Sequence, residues 1–306
     1  MNANDNDYYL DSQLPCMKIL ILKLLSGFLW LIPVSFVNGA QLCLEADDHS
    51  RVTAAGGSIT EIIYFLKSDE KLVAVDVTSN YPMEAKELPS IGYVRALSAE
   101  GILSLNPSVI IGEDDMGPIE VIDQIKKSGV PIVAIAENHS IEGIIEKVRC
   151  VATIIGKSEH AEEILREKVY PKISKLRVHT SEKLRVSRKK VLFILGMQSG
   201  SPLVAGKAVS ADGFISMIGG ENSMNDFEGW KPVSTEAIIK ASPDIILISN
   251  RGLAAVGDKK DLRNHPALKL TPAARNNEIY AMDGMEMLGF GPRTINAALK
   301  LSKKIK

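Results

Sequence analysis

Short apolar runs alternate with amphipathic stretches from Arg51 to the end of the chain. The runs have the length and flanking turn residues of buried strands, and the stretches between them have helical spacing. In the first half of the chain this predicts strands at 51–55, 72–77, 108–112 and 132–136, and helices at 58–66, 99–105, 118–128 and 140–155. Strands that alternate with helices in this way form mostly parallel sheets covered on both faces.

A charged stretch at 158–184 separates this series from a second one. Its apolar residues recur at helical spacing, which predicts one long connecting helix that Pro171 bends or restarts: Ala161, Ile164, Leu165, Val169, Ile173 and Leu176. The second series has predicted strands at 190–195, 244–249 and 279–282, and predicted helices at 210–218, 235–241 and 292–304, with a helix-poor stretch before 279. We therefore predict an α/β protein of two lobes, 41–157 and 186–306, each with a mostly parallel sheet, joined by a helix at 158–185.

An internal repeat supports the two-lobe interpretation. Residues 97–111 and 233–247 are similar at a constant offset, and each copy has a serine cap, a glutamate in the first turn of a short helix, and a proline before a buried strand. The glutamates are Glu100 and Glu236. Each one stabilises a helix start through the helix dipole, and their equivalent placement in both lobes also fits a shared surface role.

The first forty residues predict an export signal. Lys18 and Lys23 precede fourteen residues without a charge, and the small residues Gly39 and Ala40 follow. The apolar run is shorter than the roughly 20 residues of a membrane-spanning helix. We expect a cleavable signal peptide at 1–40, translation that begins at Met17, and a soluble product in the periplasm.

The charge balance, the cysteines and the histidines add three constraints. The 306 residues carry 36 Lys and Arg against 37 Asp and Glu, and this balance does not favour nucleic acid or an anionic membrane surface as a partner. Export permits a disulfide between Cys43 and Cys150, but we favour a buried thiol at Cys150 on the apolar face of a helix. The five histidines have no paired spacing typical of a zinc or manganese site.

Four segments carry a resemblance to a known family: RVTAAGGSITEIIYFL, IGYVRALSAEGILSLNPSVII, GWKPVSTEAIIKASPDIILIS and MDGMEMLGFGPRT. From about Arg51 onwards the chain resembles the haem-binding periplasmic proteins of bacterial haem ABC importers, and the segments come in that family's order. The resemblance implies a class III periplasmic binding protein fold, in which one rigid helix joins two α/β lobes and the ligand binds in the cleft between them.

Within the resemblance, Gly92-Tyr93-Val94-Arg95 matches the motif in which a tyrosine binds haem iron and an arginine supports it. Ferric iron is a hard acid, and tyrosine is a known axial haem ligand. Arg95 follows Tyr93 by two positions in an extended loop, so it can supply the cation that favours a phenolate. The resemblance therefore implies that Tyr93 is the iron ligand and that Arg95 is its support.

The second axial ligand stays open at this point. Some relatives place a histidine in the loop after the first strand of the second lobe, but here that loop is 196–201 and has none. Met197 could supply a thioether and Gln198 lies beside it, although a methionine after a strand more often fills a core. Five-coordinate iron, a water ligand and the binding of more than one haem are equally open.

The remaining candidate contacts are cationic or apolar. Lys207 and Arg293 precede or open predicted helices and are candidate partners of haem propionates, with a solvated surface charge as the alternative for each. Met285, Met287, Leu288 and Phe290 form an apolar segment that suits the porphyrin faces.

The predicted function is capture of haem and its delivery to an inner-membrane ABC permease dimer with its ATPase subunits. The resemblance implies that Glu100 and Glu236 dock one on each permease subunit, and that an outer-membrane haem receptor supplies the periplasm. An iron–siderophore or a corrinoid is the alternative ligand in the same fold. A secreted α/β enzyme is less favoured, because G-x-S-x-G and H-E-x-x-H motifs do not occur.

Overall fold

The computed structural model describes residues 43–184 and 188–305. The predicted signal peptide at 1–40, the expected start at Met17, and Cys16 lie outside the described residues. The described residues belong to one compact unit, in which two β-sheets and their flanking helices form two lobes. None of the helices in the described ranges is long and apolar enough to cross a membrane.

A parallel four-stranded sheet forms the first lobe, in the strand order β2-β1-β3-β4. Its strands are β1 (Val52–Ala55), β2 (Leu72–Val75), β3 (Val109–Glu113) and β4 (Ile132–Ile135), and its helices are α1 (Gly57–Phe65), α2 (Ala99–Leu103), α3 (Ile119–Lys127) and α4 (Ile141–Ile154). The strands consist largely of β-branched and small apolar residues, which suit a sheet that is covered by helices. Because the strands are parallel, their carboxyl ends share one edge, where ligands bind in open α/β sheets.

The helix predicted at 58–66 begins one residue earlier in the structure, at Gly57. Gly56 takes the cap position with a φ of 140°, a conformation that favours glycine. A Cβ at Gly56 would come within 2.7 Å of the Glu113 carboxylate carbon. Ser58 lies inside the helix instead, and its hydroxyl donates a hydrogen bond to Glu113.

The two lobes are joined by a helical segment in three parts. These are α5 (Ser158–Ile164), a π-helical turn at Leu165–Val169, and α6 (Tyr170–Leu184). Pro171 lies in the first turn of α6, directly after the π-turn. Its position agrees with the expected second segment, because proline is tolerated in the first turn of a helix and disrupts hydrogen bonding further in.

A mixed sheet forms the second lobe, in the order β10-β9-β5-β6-β8, with β7 beside β5. Its strands are β5 (Lys190–Gln198), β6 (Ser201–Ala205), β7 (Glu221–Asn222), β8 (Trp230–Pro232), β9 (Ile245–Ser249) and β10 (Ile279–Met282). The pairs β5–β9 and β9–β10 are parallel, whereas β5–β6 and β6–β8 are antiparallel. Ser199 and Gly200 both have positive φ and form the two-residue turn between β5 and β6. The segment that we expected to be a loop is therefore a hairpin.

Seven helices accompany this sheet. They are α7 (Ser210–Met217), α8 (Thr235–Ala241), α9 (Asn250–Val256), α10 (Lys259–Asn264), α11 (Pro272–Arg275), α12 (Gly284–Leu288) and α13 (Pro292–Ser302). The stretch predicted to be poor in helix thus contains α9, α10 and α11. Side chains of Ser249, Asp258 and Thr271 cap their N-termini. These short helices lack a long apolar period, so their caps are the clearest sequence signal for them.

The C-terminal segment packs back onto the first lobe. Phe290, Ile295 and Leu301 are buried in the same apolar cluster as Ile59 of α1 and Val148 of α4. The helix α13 also contacts α6 along the connecting segment. The main core therefore spans both lobes and holds the connecting helix against them.

A disulfide joins Cys43 to Cys150 in α4, across 107 positions of sequence. Our preference for a free buried thiol at Cys150 is therefore wrong. Cys150 is buried on the inner face of α4 as predicted, but the segment before β1 runs close enough to bring Cys43 to it. The bridge attaches the first described residue to the core of the first lobe.

Candidate functional site

A cleft of about 650 Å³ lies between the two lobes, within the roughly 300–1,000 Å³ that is typical of small-molecule and cofactor sites. The first lobe contributes Thr78, Tyr93, Val94, Arg95, Glu113, Asp115, Glu137 and His139. The remainder of the chain contributes Leu195, Gly196, Met197, Ser210, Trp230, Ser249, Arg251, Gly252, Ala255, Met285, Leu288 and Gly289. Most of the polar members follow the carboxyl ends of strands, as the parallel topology requires.

Tyr93 and Arg95 form the most specific arrangement in the cleft. The Tyr93 ring is 41% exposed, and Arg95 Nη1 donates a hydrogen bond of 2.9 Å to the Tyr93 hydroxyl oxygen. The guanidinium also donates through Nε to Asp115 Oδ2 at 2.8 Å, and Nη2 binds the same oxygen. A cation is thus directed at the phenol oxygen while a carboxylate holds that cation in place.

Backbone hydrogen bonds fix the loop that carries this pair. Ala96 N donates to Tyr93 O at 2.7 Å, and Gly117 N donates to Val94 O at 3.0 Å. Partial burial lowers the pKa of Arg95, but the hydrogen bond and charge of Asp115 outweigh that effect and leave it raised. Arg95 therefore remains a cation at any physiological pH.

A buried ion cluster lies at the floor of the cleft. Lys147, of which 1% of the side chain is exposed, forms an ion pair with Glu137. Its Nζ also donates to Ser58 Oγ at 3.1 Å and to the Gly289 carbonyl at 3.3 Å. Ser58 in turn donates to Glu113 Oε1 at 2.7 Å. This cluster connects α1, β3, α4 and the segment before α13, so it ties the two lobes together under the cleft.

The carboxylates of this cluster titrate abnormally. Burial raises the pKa of Glu113 to about 7, against the opposing charge of Lys147. Burial likewise raises the pKa of Glu137, although its ion pair with Lys147 acts in the other direction. Perturbed carboxylates in a cleft are typical of ligand sites and also of buried structural ion pairs.

His139 lies in the loop after β4 and also lines the cleft. Its ring packs on Phe290 at a centroid distance of 5.0 Å. Burial lowers the pKa of His139, and the nearby charge of Lys147 lowers it further. Both effects favour the uncharged imidazole.

The opposite wall is mainly apolar and carries one cation. Trp230, Met285 and Leu288 supply apolar surface, and Trp230 packs edge-on against Phe193 at 5.9 Å. Arg251, in the first turn of α9, makes no ion pair with any described residue. The wall can hold a flat apolar ligand and offers a free guanidinium to an anionic group.

Of the ligand contacts proposed from the sequence, five line the cleft: Tyr93, Arg95, Met197, Met285 and Leu288. Five others do not, and one of these, Phe290, is fully buried in the main core. Gln198 lies at the end of β5 beside the hairpin turn, and Lys207 is exposed where its backbone pairs with Phe227. Met287 is fully buried in the main core, so it packs α12 and does not reach the cleft.

Arg293 is the last of these five, and it faces a separate pocket of about 290 Å³. Its Nε binds the buried Glu61 carboxylate at 2.8 Å, and its guanidinium lies 3.9 Å from the ring centre of Tyr81. This side chain is already satisfied within the protein. We therefore do not retain Gln198, Lys207, Met287, Phe290 or Arg293 as candidate ligand contacts.

Glu100 and Glu236 occupy equivalent exposed positions, one on each lobe. Ser98 caps α2 by accepting from Gly101 N, and Ser234 caps α8 by accepting from Ala237 N. Both glutamates are in the first turn of their helix and neither forms an ion pair with a described residue. Hydrogen bonds from its own backbone amide and from Ser234 lower the pKa of Glu236. Two carboxylates are therefore available at the protein surface.

Sequence reasoning missed five ionisable residues that line the cleft: Glu113, Asp115, Glu137, His139 and Arg251. It also missed the buried Lys147, which pairs with one of them. The five lie just beyond the carboxyl ends of predicted strands, and Lys147 falls on the apolar face of α4 between Ile144 and Val151. A polar residue at either kind of position is typical of a site or of a buried pair.

The fold and cleft define a binding protein of two α/β lobes with a ligand site between them. The chain belongs to the periplasmic binding protein family, whose pattern matches residues 52–285. It is therefore a substrate-binding protein of the kind that serves ABC transporters.

The names of individual similar proteins indicate two different ligands. The periplasmic heme-binding protein RhuT from Roseiflexus sp. RS-1 is 37% identical, with a TM-score of 0.78 over 84% of this chain and 98% of that chain. The periplasmic heme-binding protein HutB of Vibrio cholerae is 35% identical, with a TM-score of 0.75 over 84% of this chain and 99% of that chain. A vitamin B12-binding protein from Vibrio parahaemolyticus serotype O3:K6 (strain RIMD 2210633) is 27% identical over 270 residues, which are 86% of this chain and 91% of that protein.

Proposed function

We propose that this protein captures ferric haem in the interlobe cleft, with the Tyr93 oxygen as an iron ligand, and delivers it to an ABC permease. The observation that carries the proposal is the hydrogen-bonded series Tyr93–Arg95–Asp115. A tyrosine whose oxygen accepts from a fixed guanidinium is suited to bind a hard cation as phenolate, because the adjacent positive charge favours the anion.

The rest of the cleft suits the other parts of haem. Trp230, Met285 and Leu288 supply apolar contact for a planar macrocycle. Arg251 supplies a free cation for a carboxylate. On the first-lobe wall the cations are already paired, Arg95 with Asp115 and the buried Lys147 with Glu137. We therefore place the propionate edge towards Arg251 and the iron towards Tyr93.

A corrinoid is the second candidate, favoured by the relatives that are named vitamin B12-binding proteins. A corrinoid brings its own cobalt ligands and does not need a protein phenolate. The two ligands therefore differ in their dependence on Tyr93, and this difference allows a clean test.

The test compares binding of hemin and of cyanocobalamin to the mature protein and to Tyr93→Phe. For hemin we expect a shifted Soret band and a charge-transfer band from phenolate to iron, both lost in Tyr93→Phe. Tyr81→Phe is a matched control, since Tyr81 lies outside the cleft at the Arg293 pocket. Binding of cyanocobalamin alone, or hemin spectra that are equal in wild type and Tyr93→Phe, would refute the proposal.

Delivery requires a surface that a permease can recognise. We propose that Glu100 and Glu236 dock on the two halves of a permease dimer that carries cations in matching places. Exposed ion pairs of this kind contribute only about 0–1 kcal/mol each, but such charges also steer encounter and fix register.

Two further steps complete the proposed route. They are export to the periplasm by a cleaved signal peptide at 1–40 and supply of haem by an outer-membrane receptor.

A further inference from the structure

Of the five histidines, all of which lie in the described part of the chain, only His139 lines the cleft. Neither of its ring nitrogens makes a hydrogen bond or ion pair with a described residue. In contrast, His49 binds Lys71, His160 lies 3.5 Å from Glu163, and His265 Nδ1 accepts from a backbone amide. His139 therefore presents an unused nitrogen donor to the ligand space.

The position of His139 is fixed from several sides. Two residues earlier, Glu137 N donates to Asp114 Oδ2 at 3.0 Å. One residue later, Ser140 caps α4. A Cβ at Gly213 in α7 would overlap the His139 carbonyl oxygen, so this loop lies directly against a helix of the second lobe. The Phe290 ring limits rotation of the imidazole. A donor that is held in this way loses little freedom when it binds.

The same turn anchors both His139 and Tyr93. Asp115 holds Arg95 and, through it, the Tyr93 hydroxyl, while the adjacent Asp114 holds the backbone two residues before His139. Asp114 and Asp115 follow β3 directly. The tyrosine loop and the histidine loop therefore share one rigid support at the carboxyl edge of the first sheet.

The competing donors in the cleft are poorer ligands for ferric iron. Met197 offers a soft thioether, which suits softer metals, and it packs against the core of the second lobe. Lys147 is committed to Glu137, Ser58 and Gly289. A neutral imidazole suits iron and is the commonest metal-binding side chain in proteins.

We propose that His139 supplies a second, nitrogen ligand to the iron of the haem that Tyr93 binds. This inference rests on the proposed function. His139 takes the place of Met197 as the candidate second ligand. Both protein ligands then come from loops of the first lobe that Asp114 and Asp115 hold.

The test is pulsed EPR of the protein labelled with ¹⁵N-histidine and loaded with 0.5 equivalents of ferric haem. We expect a ¹⁵N hyperfine coupling to iron in wild type, its loss in His139→Ala, and its retention in the control His265→Ala. The Met197→Leu variant should keep the wild-type spectrum. Added imidazole should restore the six-coordinate optical spectrum of His139→Ala, which shows that the variant is folded and lacks only the donor.

The outcomes separate this inference from the proposed function. If wild type binds haem in a Tyr93-dependent way without any ¹⁵N coupling, the inference on His139 is wrong and the proposed function stands. Coupling that persists in His139→Ala assigns the ligand to another histidine and also overturns the inference. If wild type binds no haem, both proposals fall.

Discussion

Arg95 Nη1 lies 2.9 Å from the Tyr93 hydroxyl oxygen, and the same guanidinium is held by Asp115. Asp115 is 20 positions from Arg95 in sequence and belongs to the turn after β3, so the tyrosine loop depends on the sheet for its arrangement. The positioning of the phenol oxygen is therefore a property of the first lobe as a whole.

We expect Asp115→Asn to weaken haem binding through Arg95, the residue that joins Asp115 to Tyr93. The amide loses the charge that orients Arg95, and removal of such an outer partner typically costs about 10–100-fold in metal affinity. Hemin titration by absorbance measures the effect. The control is Asp123→Asn, an exposed position on α3, which should bind as wild type does. Equal affinity in the two variants would exclude Asp115 from the support of Arg95.

Removal of the Cys43–Cys150 disulfide should destabilise the first lobe. The bridge closes a segment of 107 positions, and native disulfides typically contribute about 2–4 kcal/mol, chiefly by restricting the unfolded chain. We expect the Cys43→Ser/Cys150→Ser variant to lose stability in this range in urea unfolding. Reduced wild type should match the variant, and an unchanged midpoint in both would show that the bridge is dispensable.

The Glu113 carboxyl should make stability depend on pH. Its pKa is about 7 in the folded protein and near 4.5 in the unfolded chain, so between these values the folded state retains a proton that the unfolded state has lost. The free energy of unfolding then falls as the pH rises from about 4.5 to 7, by about 1–3 kcal/mol from this group.

The Glu113→Gln variant tests this dependence, because its amide is neutral at every pH and can still accept from Ser58. Relative to wild type, the variant should gain stability between pH 5 and pH 8. Glu61, whose pKa burial also raises, is present in both proteins. Glu137 interacts with Glu113, so the difference between the two profiles reports the pair, with Glu113 as the group that is removed. Urea unfolding at several pH values measures the difference, and parallel profiles would assign the slope to other groups.

The double change Glu100→Ala/Glu236→Ala should leave haem binding intact and lower transport and permease-stimulated ATP hydrolysis. Both side chains are exposed and outside the cleft, so their loss should leave the ligand site unchanged while it removes the proposed docking charges. The control is Glu120→Ala/Glu228→Ala, which removes two other carboxylates. Loss of haem binding would place Glu100 or Glu236 in the ligand site, and full transport would reduce them to helix-start residues.

Much of the fold could be predicted because its signals are local. Apolar runs fix the buried strands, and serine caps such as Ser98 and Ser234 fix where short helices begin. Tyr93 and Arg95 could be paired because they are two residues apart. The hairpin at Ser199 and Gly200 and the helices α9–α11 were missed because their signals are single turn or cap residues.

The rest of the site depends on contacts between residues far apart in sequence. Lys147 reaches Ser58 across 89 positions, and Arg293 reaches Glu61 across 232. The sequence around a charged residue does not identify its partner. Arg293 was therefore a candidate for a haem propionate, although the buried Glu61 carboxylate already pairs with it. Only the tertiary fold distinguishes that guanidinium from the one on Arg251.

The return of α13 to the first lobe has a consequence for the order in which the protein can fold. The chain is made from its N-terminus, yet Ile295 and Leu301 belong to the same core as the residues of α1. The first lobe therefore stays incomplete until α13 has been synthesised, and its long-range contacts should make folding slow. Loss of α13 would expose the apolar residues of α1 and α4 that it covers. A premature stop before Pro292 should therefore make the N-terminal half of the protein prone to aggregation.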